Sequence, residues 1–292
     1  MRKMKKEDCV YEEIQRPRYI RNKNRIEILV TYQCNRRCYN CNTMVRQAQS
    51  SEFMTEEQIN KFIKESIENK VKWENIRILG GEPTIHLTIQ RIVEMLMEYK
   101  KQFSKNTIIT IVSNGTGKYV RGKLEELKSN FDVVIENSNK VSNIQPSFWP
   151  VNNAPIDTVQ CQELDYSKGC WMTTMCGIAL DLNGYYPCST AAAIARVTGE
   201  DFGRKSLPTK EDDMKDLYNR YCPLCGHYVN DVNYEINTNV VDENNIGELG
   251  RVMEKYFKIT SQGFDLRNEV ISRTWEKIFD KYNKDKPKLR RY

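Results

Sequence analysis

The chain has 292 residues, 39% of them hydrophobic, enough for one large domain with a real core and a small appendage. No apolar run approaches the ~18 residues of a membrane span, and nothing apolar follows the basic N-terminus "MRKMKKEDCVYEEIQRPRYI", which excludes a secretory signal and predicts a soluble, cytoplasmic protein. The net charge of +6 belongs to the ends, with four basic residues in 1–6 and six against one acid in 281–292, so the body is slightly acidic and a nucleic-acid groove is not expected.

"RIEILVTYQ" (25–33) is apolar and β-branched and predicts a buried strand that runs straight into Cys34. Thr55 opens a helix with Gln58 as its capping-box partner, and Ile59, Phe62, Ile63 and Ile67 follow at helical spacing. "IRILGGEP" (76–83) is a second strand, ending in two glycines, and a helix through Ile89, Ile92, Val93 and Leu96 comes next. "TIITIVSNG" (107–115) is a third strand, "KLEELKSN" a helix and "FDVVIENSN" (131–139) a fourth strand. Strand–helix alternation predicts parallel strands with helices packed outside. Ligands then collect at the C-terminal rim, where Cys34, Gly80, Gly81, Glu82, Ser113, Asn114, Glu136 and Asn137 are expected to converge.

Beyond about residue 140 the alternation weakens. "QPSFWPVNNAPID" reads as a loop, and "GIALDLNGYYPC" (177–188) as a hairpin turning at Asn183-Gly184. Residues 189–230 are irregular, and a closing helix carries Trp275 and Phe279.

Ten cysteines are many for a reducing compartment, and their clustering suggests metal ligands or redox groups. Cys34, Cys38 and Cys41 form a C-x3-C-x2-C run, one ligand short of a structural metal site. An iron–sulfur cube accepts three such thiolates and leaves one iron open to another ligand. Arg36 and Arg37 are expected to lower the thiol pKa values. The competing reading is a zinc-binding or incidental trio. "GGEP" at the end of the next strand adds close backbone approach at Gly80 and Gly81, and a carboxylate, Glu82, suited to an ammonium group.

With these motifs the sequence resembles the radical S-adenosylmethionine (SAM) superfamily across residues 25–140. The resemblance implies an α/β fold, a partial (β/α)6 TIM-like barrel, and a 4Fe–4S cluster on Cys34, Cys38 and Cys41. The open iron would bind the methionine part of SAM. It further implies that Gly80, Gly81, Glu82 and Pro83 hold the cofactor's amino group. Ser113, Asn114, Glu136 and Asn137 would then lie near its ribose and carboxylate. The family usually has an aromatic residue just before the third cysteine; here that position is Asn40 and the aromatic is Tyr39, so adenine packing is assigned to this pair.

Cys170, Cys176, Cys188, Cys222 and Cys225 are similar to the auxiliary-cluster extensions of the superfamily, the SPASM domain and its shorter twitch form. The single C-x2-C favours a twitch-like region with one auxiliary 4Fe–4S cluster held by four of these five. Zinc would satisfy the same spacing. Cys9 and Cys161 are expected to be inert, and His86 and His227 to be other than ligands. The resulting division is a basic segment (1–24), the barrel (25–165, its later strands reaching about 182), the auxiliary region (166–230) and a C-terminal helical segment with a basic tail (231–292).

The resemblance implies reductive cleavage of SAM to a 5′-deoxyadenosyl radical that abstracts hydrogen, fed by a flavodoxin- or ferredoxin-type donor. The roughly 24 residues before the first strand are too few for a fused leader-peptide domain. That favours a small polar metabolite, a sugar or an aminocyclitol, undergoing dehydrogenation or epimerisation. A peptide or protein maturase is the alternative reaction, and a zinc-stabilised binding module the alternative class.

Overall fold

The structure is a computed structural model and describes residues 19–38, 41–45, 52–141, 165–167 and 169–228. Its first half runs β1 (Arg25–Leu29), α1 (Glu56–Glu68), β2 (Asn75–Leu79), α2 (Ile89–Gln102), β3 (Ile108–Ser113), α3 (Lys118–Asn130) and β4 (Val134–Asn137). The second half holds α4 (Trp171–Met175), β5 (Ile178–Asp181), β6 (Gly184–Tyr186), α5 (Ser189–Thr198) and α6 (Lys215–Tyr221). The α/β class and the parallel alternation expected of residues 25–140 are present.

Alternation along the strands sorts their side chains onto two faces. Ile26 and Ile28 of β1 align with Ile76 and Ile78 of β2, which align with Ile109 and Ile111 of β3. These isoleucines share one buried cluster with Ile59 and Phe62 of α1, Ile92 and Leu96 of α2, and Leu124 and Leu127 of α3. Each buried isoleucine contributes roughly 1.5–3 kcal/mol. The other face carries Glu27, Arg77 and Thr110 in register, and Glu136 two positions beyond Thr110's partner on β4. The predicted capping box closes α1, with the Gln58 amide donating to Thr55 Oγ1 (3.2 Å) and the Thr55 amide to Gln58 Oε1 (2.9 Å).

The described strands form an open sheet in the order β4-β3-β2-β1-β5-β6. The first strand of the 177–188 hairpin does not continue past β4. It pairs parallel with β1, Ile26 opposite Ile178 and Ile28 opposite Leu180, so the hairpin belongs to the main sheet. Gly177 allows this close start: at φ +74° a Cβ there would lie 2.0 Å from the Arg25 carbonyl oxygen. The hairpin turn also differs from the expected Asn183-Gly184, because Gly184 is already paired opposite Asp181. Its glycine is needed instead where the chain presses on Arg204, whose carbonyl oxygen would meet a Cβ at 2.4 Å.

Helix α5 is buried at all ten positions. Its alanines let it lie close to β5 and β6, and Gly199, left-handed at φ +74°, ends it with the Glu200 amide donating to Ala195 O at 2.8 Å. Among the described residues no helix is long and apolar enough to cross a membrane.

Candidate metal and cofactor site

The segment that leads from β1 to Cys34 is gripped by the end of β2. The Val30 amide donates to Leu79 O (2.9 Å), the Gly81 amide to Thr31 O (2.8 Å) and the Glu82 amide to Gln33 O (2.7 Å). Contact this close leaves no room for side chains. A Cβ at Gly80 would sit 2.5 Å from Thr31 O, and one at Gly81 only 1.8 Å from Gln33 O. The glycines of GGEP therefore seat the backbone that carries the cysteine loop, a role that holds before any ligand is considered.

Cys38 is buried, and Cys34 and Cys41 are half-buried. The Cys34 sulfur accepts from the Arg36 amide (3.4 Å) and from Asn114 Nδ2 (3.6 Å), and Cys41 Sγ lies 3.3 Å from Thr43 Oγ1. Burial pushes the Cys34 thiol up to about 12; the Arg36 amide opposes this, and the charges of Cys41, Glu82 and Cys38 add to it. The expected lowering by arginine is therefore not found at Cys34. The Arg36 guanidinium is turned away, donating to Thr116 Oγ1 (3.1 Å) and Lys140 O (2.9 Å). Cys38 and Cys41 lie near enough to act on Cys34, and two donors are already aimed at the Cys34 sulfur, a donor set whose chemistry fits an iron–sulfur cluster.

Glu82 is fully buried and ties the rim together. Its Oε1 accepts from the Thr84 amide (3.2 Å), Thr84 Oγ1 (2.8 Å) and Ser113 Oγ (2.9 Å), and its Oε2 from the Asn114 amide (2.8 Å). The carboxylate expected to receive an ammonium group thus already serves four donors of this chain, with one Oε2 lone pair left over. Pro83 begins the 3-10 turn that Glu82 caps. Asn114 links the knot to the cysteine loop, donating to Asn35 Oδ1 (2.8 Å) as well as to Cys34. Asn137 stands opposite Ser113, its side chain against Gly115, where a Cβ would meet it at 2.1 Å.

Glu136, just before Asn137 at the end of β4, is engaged by an ion pair. Both its oxygens lie 2.8 Å from Arg77 Nη2, and Arg77 Nη1 donates in turn to Glu27 Oε1, a charged chain across the middle of the sheet. A charge at the centre of each strand, Glu27 in "RIEIL" and Arg77 in "NIRIL", flanked by isoleucines, is the sequence signal for it. Tyr39 and Asn40, along with Cys9, Cys161, Trp275 and Phe279, lie outside the described residues.

The second cysteine group is built at helix ends. Cys170 precedes and Cys176 follows α4, Cys188 is the N-cap of α5, with its sulfur accepting from the Ala191 amide (3.4 Å), and Cys222 begins and Cys225 caps the 3-10 turn after α6. Burial pushes Cys188 up to about 11 and Cys225 up to about 12, where the charge of Cys188 adds to the rise. Cys176 is raised by burial and by Glu27, with Arg77 Nη1 3.8 Å from its sulfur opposing the shift. Tyr218 feels both Cys188 and Cys222. Cys176, Cys188, Cys222 and Cys225 are thus neighbours. Among the described residues no three His, Cys, Asp or Glu side chains converge as they do around a single metal ion.

Both histidines are engaged by protein groups. His86 is buried, with Nδ1 accepting from the Thr88 amide (3.1 Å), so Nε2 donates to Met54 O (2.8 Å). His227 Nε2 lies 2.9 Å from Asn42 Oδ1, beside the first cysteine loop. Burial drives its pKa down to about 4 and keeps it neutral.

A network that the sequence reading missed joins the two groups. Tyr32 donates its hydroxyl to Asp181 Oδ1, and Arg196 of α5 stacks over the Tyr32 ring with its guanidinium carbon 3.9 Å from the ring centre. The same guanidinium donates to Thr43 O, two residues after Cys41, and stands 3.8 Å from Asp181 Oδ2. The available signal is a single arginine in the apolar run "STAAAIARVT".

Residues 28–136 match the family model of the Radical SAM superfamily. Over 81 residues the chain is 30% identical to the probable GTP 3′,8-cyclase of Methanococcus maripaludis, covering 28% of this chain and 26% of that protein. It is 31% identical over 110 residues to the probable GTP 3′,8-cyclase of Pyrococcus horikoshii, 37% of this chain and 33% of that one. The match therefore spans about a quarter to a third of these relatives. A crystal structure of BtrN in complex with AdoMet and 2-DOIA covers 68% of this chain and 87% of its own, at 14% identity and a TM-score of 0.40.

Proposed function

We propose that this chain, whose residues 28–136 match the radical SAM family model, is an enzyme of that kind removing a hydrogen atom from a small polar metabolite, a sugar or an aminocyclitol. The observation that carries the reading is the cysteine loop itself, three thiols after β1 held in place by the glycine backbone of GGEP. A 4Fe–4S cluster held by such a loop would supply the electron that splits SAM into methionine and a 5′-deoxyadenosyl radical.

This chain's own residues do the holding. Cys34, Cys38 and Cys41 provide the thiolates, and the Arg36 amide and Asn114 Nδ2 donate to the Cys34 sulfur. Gly80 and Gly81 keep side chains away from the loop, and Glu82 offers its remaining Oε2 lone pair to the amino group of SAM. Buried rim residues exclude water from the reacting centre. The polar face of the sheet, with Glu27, Arg77 and Thr110 largely buried and Glu136 exposed, suits a substrate rich in hydroxyl or amino groups, and this supports a small metabolite over an apolar one. The matched relatives, named for an enzyme acting on GTP, lend support to the chemistry more than to the substrate. Four of Cys170, Cys176, Cys188, Cys222 and Cys225 would hold an auxiliary 4Fe–4S cluster able to accept the electron of the substrate radical as that radical loses a proton, and a flavodoxin- or ferredoxin-type protein would supply the first electron.

Anaerobic purification tests the proposal. A brown protein with about eight irons per chain, the content of two cubes, that releases 5′-deoxyadenosine when given dithionite and SAM agrees with it. A colourless protein carrying only zinc would sink it in favour of a binding module. Deuterium transfer into 5′-deoxyadenosine from labelled aminocyclitols or sugars, against labelled peptides, identifies the substrate class.

A further inference from the structure

We propose that Arg196 is a positioning residue for the Cys34–Cys41 loop, carried to it by α5 as a strut that joins the two cysteine groups. The inference rests on the reading of that loop as a cluster site.

One guanidinium meets both ends of the loop. At the entry it covers the ring of Tyr32, two residues before Cys34, at 3.9 Å. At the exit it donates to the carbonyl oxygen of Thr43, whose hydroxyl stands 3.3 Å from Cys41 Sγ. Asp181, at the end of β5, fixes the arrangement from the sheet, accepting from the Tyr32 hydroxyl and the Leu182 amide (2.5 Å) while facing Arg196 at 3.8 Å. The planar shape of arginine makes this possible, because it can stack by its face and donate along its edge at once. Lysine cannot do both.

Stability does not account for the group. Both charges are buried, and Arg196 Nε and Asp181 Oδ2 have no hydrogen-bond partner. Apolar residues of similar size often hold a protein interior as well as, or better than, a buried ion pair. Every other side chain of α5 is small, apolar or a hydroxyl. A guanidinium at this one position reaches both Tyr32 and Thr43, which an apolar residue could not do. The N-cap of α5 is Cys188, so eight residues of helical rise, about 12 Å, separate that cysteine from the backbone of Arg196.

The test uses the full chain reconstituted anaerobically with iron and sulfide. To see the first cluster alone, Cys188, Cys222 and Cys225 are replaced by Ala together, and the electron paramagnetic resonance of the dithionite-reduced cluster is recorded with and without SAM. Arg196→Met in this background is expected to hold iron about ten-fold less tightly, the scale of losing a group that orients metal ligands. Its signal is expected to lose the change on SAM addition, with wild-type circular dichroism. Arg196→Lys should restore iron but only part of that change. If Arg196→Met does not fold, Tyr32→Phe carries the test, since it removes only the hydroxyl that meets Asp181 and should weaken the response to SAM. A folded Arg196→Met with wild-type iron and a wild-type response overturns the positioning role alone. A parent protein whose cluster ignores SAM overturns the functional reading, and this role with it.

Discussion

The cysteines of the first group sit where strand ends converge and their neighbours are amides, hydroxyls and an asparagine, whereas those of the second group terminate helices and lie among tyrosine rings. In the first group the backbone does the positioning, through the Gly81 and Glu82 amides and two glycine positions too tight for a Cβ. In the second, the caps of α4 and α5 and the turn after α6 bring together segments distant in sequence. A strand-end loop can keep an open coordination position facing a rim where ligands bind. Helix caps packed in a core give a closed site. The first arrangement suits a cluster that must meet a cofactor, and the second one that exchanges only electrons or only stabilises.

If this contrast is right, the largest difference separates Cys38→Ala from Cys225→Ala. The former should reduce 5′-deoxyadenosine formation by more than about 100-fold, beyond the loss caused by removing a mere orienting partner. The latter should lose about half of the iron and retain SAM cleavage within about ten-fold; equal loss in both variants would abolish the distinction. Next in size, Gly81→Ala should destabilise the chain by about 4 kcal/mol or more, because its Cβ would meet the Gln33 carbonyl oxygen at 1.8 Å. Gly122→Ala in α3, with nothing within 4 Å, should instead stabilise by about 0.5–1 kcal/mol. Thermal melts decide both.

Glu82→Gln keeps the shape of the rim knot but turns a four-donor carboxylate into an amide, and about 1–3 kcal/mol of stability should go with it. A loss near zero would mean that the knot waits for a ligand to order it. The smallest effect concerns His86, whose pKa burial lowers. The native state refuses a proton that the unfolded chain accepts below about pH 6.5. Stability from this group is therefore full above that pH and falls as pH drops towards the folded value. Urea midpoints at pH 7 and pH 5 should show a greater loss in wild type than in His86→Gln.

Much of this was legible because the signals are local. The β-branched runs of β1 to β3, the Thr55–Gln58 box and the spacing of Cys34, Cys38 and Cys41 each act within a few residues, where sterics and hydrogen bonding leave few alternatives. The side of the sheet that receives β5 was not legible, since nothing near residue 178 names β1 as its partner; the choice is made by packing against Ile26 and Ile28. The pairing of Glu136 with Arg77 was not legible, because it joins β4 to β2 across β3 and depends on their register. Arg196 was missed for a related reason. A lone charge on a short helix ordinarily faces water, and only the tertiary contacts of Tyr32 and Thr43 reveal that this one does not.

The contact between Arg196 and Thr43 closes 153 residues of chain. At about 5–20 residues per second, a ribosome needs roughly eight to thirty seconds to travel between the two. During that interval the cysteine loop exists without the side chain that braces it, and β1 lacks the neighbour it gains from β5. Loop closure of this span is also slow relative to local helix and hairpin formation. Iron delivered during synthesis would thus find a loose loop, and iron delivered afterwards a braced one. Pulse-labelled chains released with and without residues beyond 188, compared for iron uptake, would show which of these the cell must wait for.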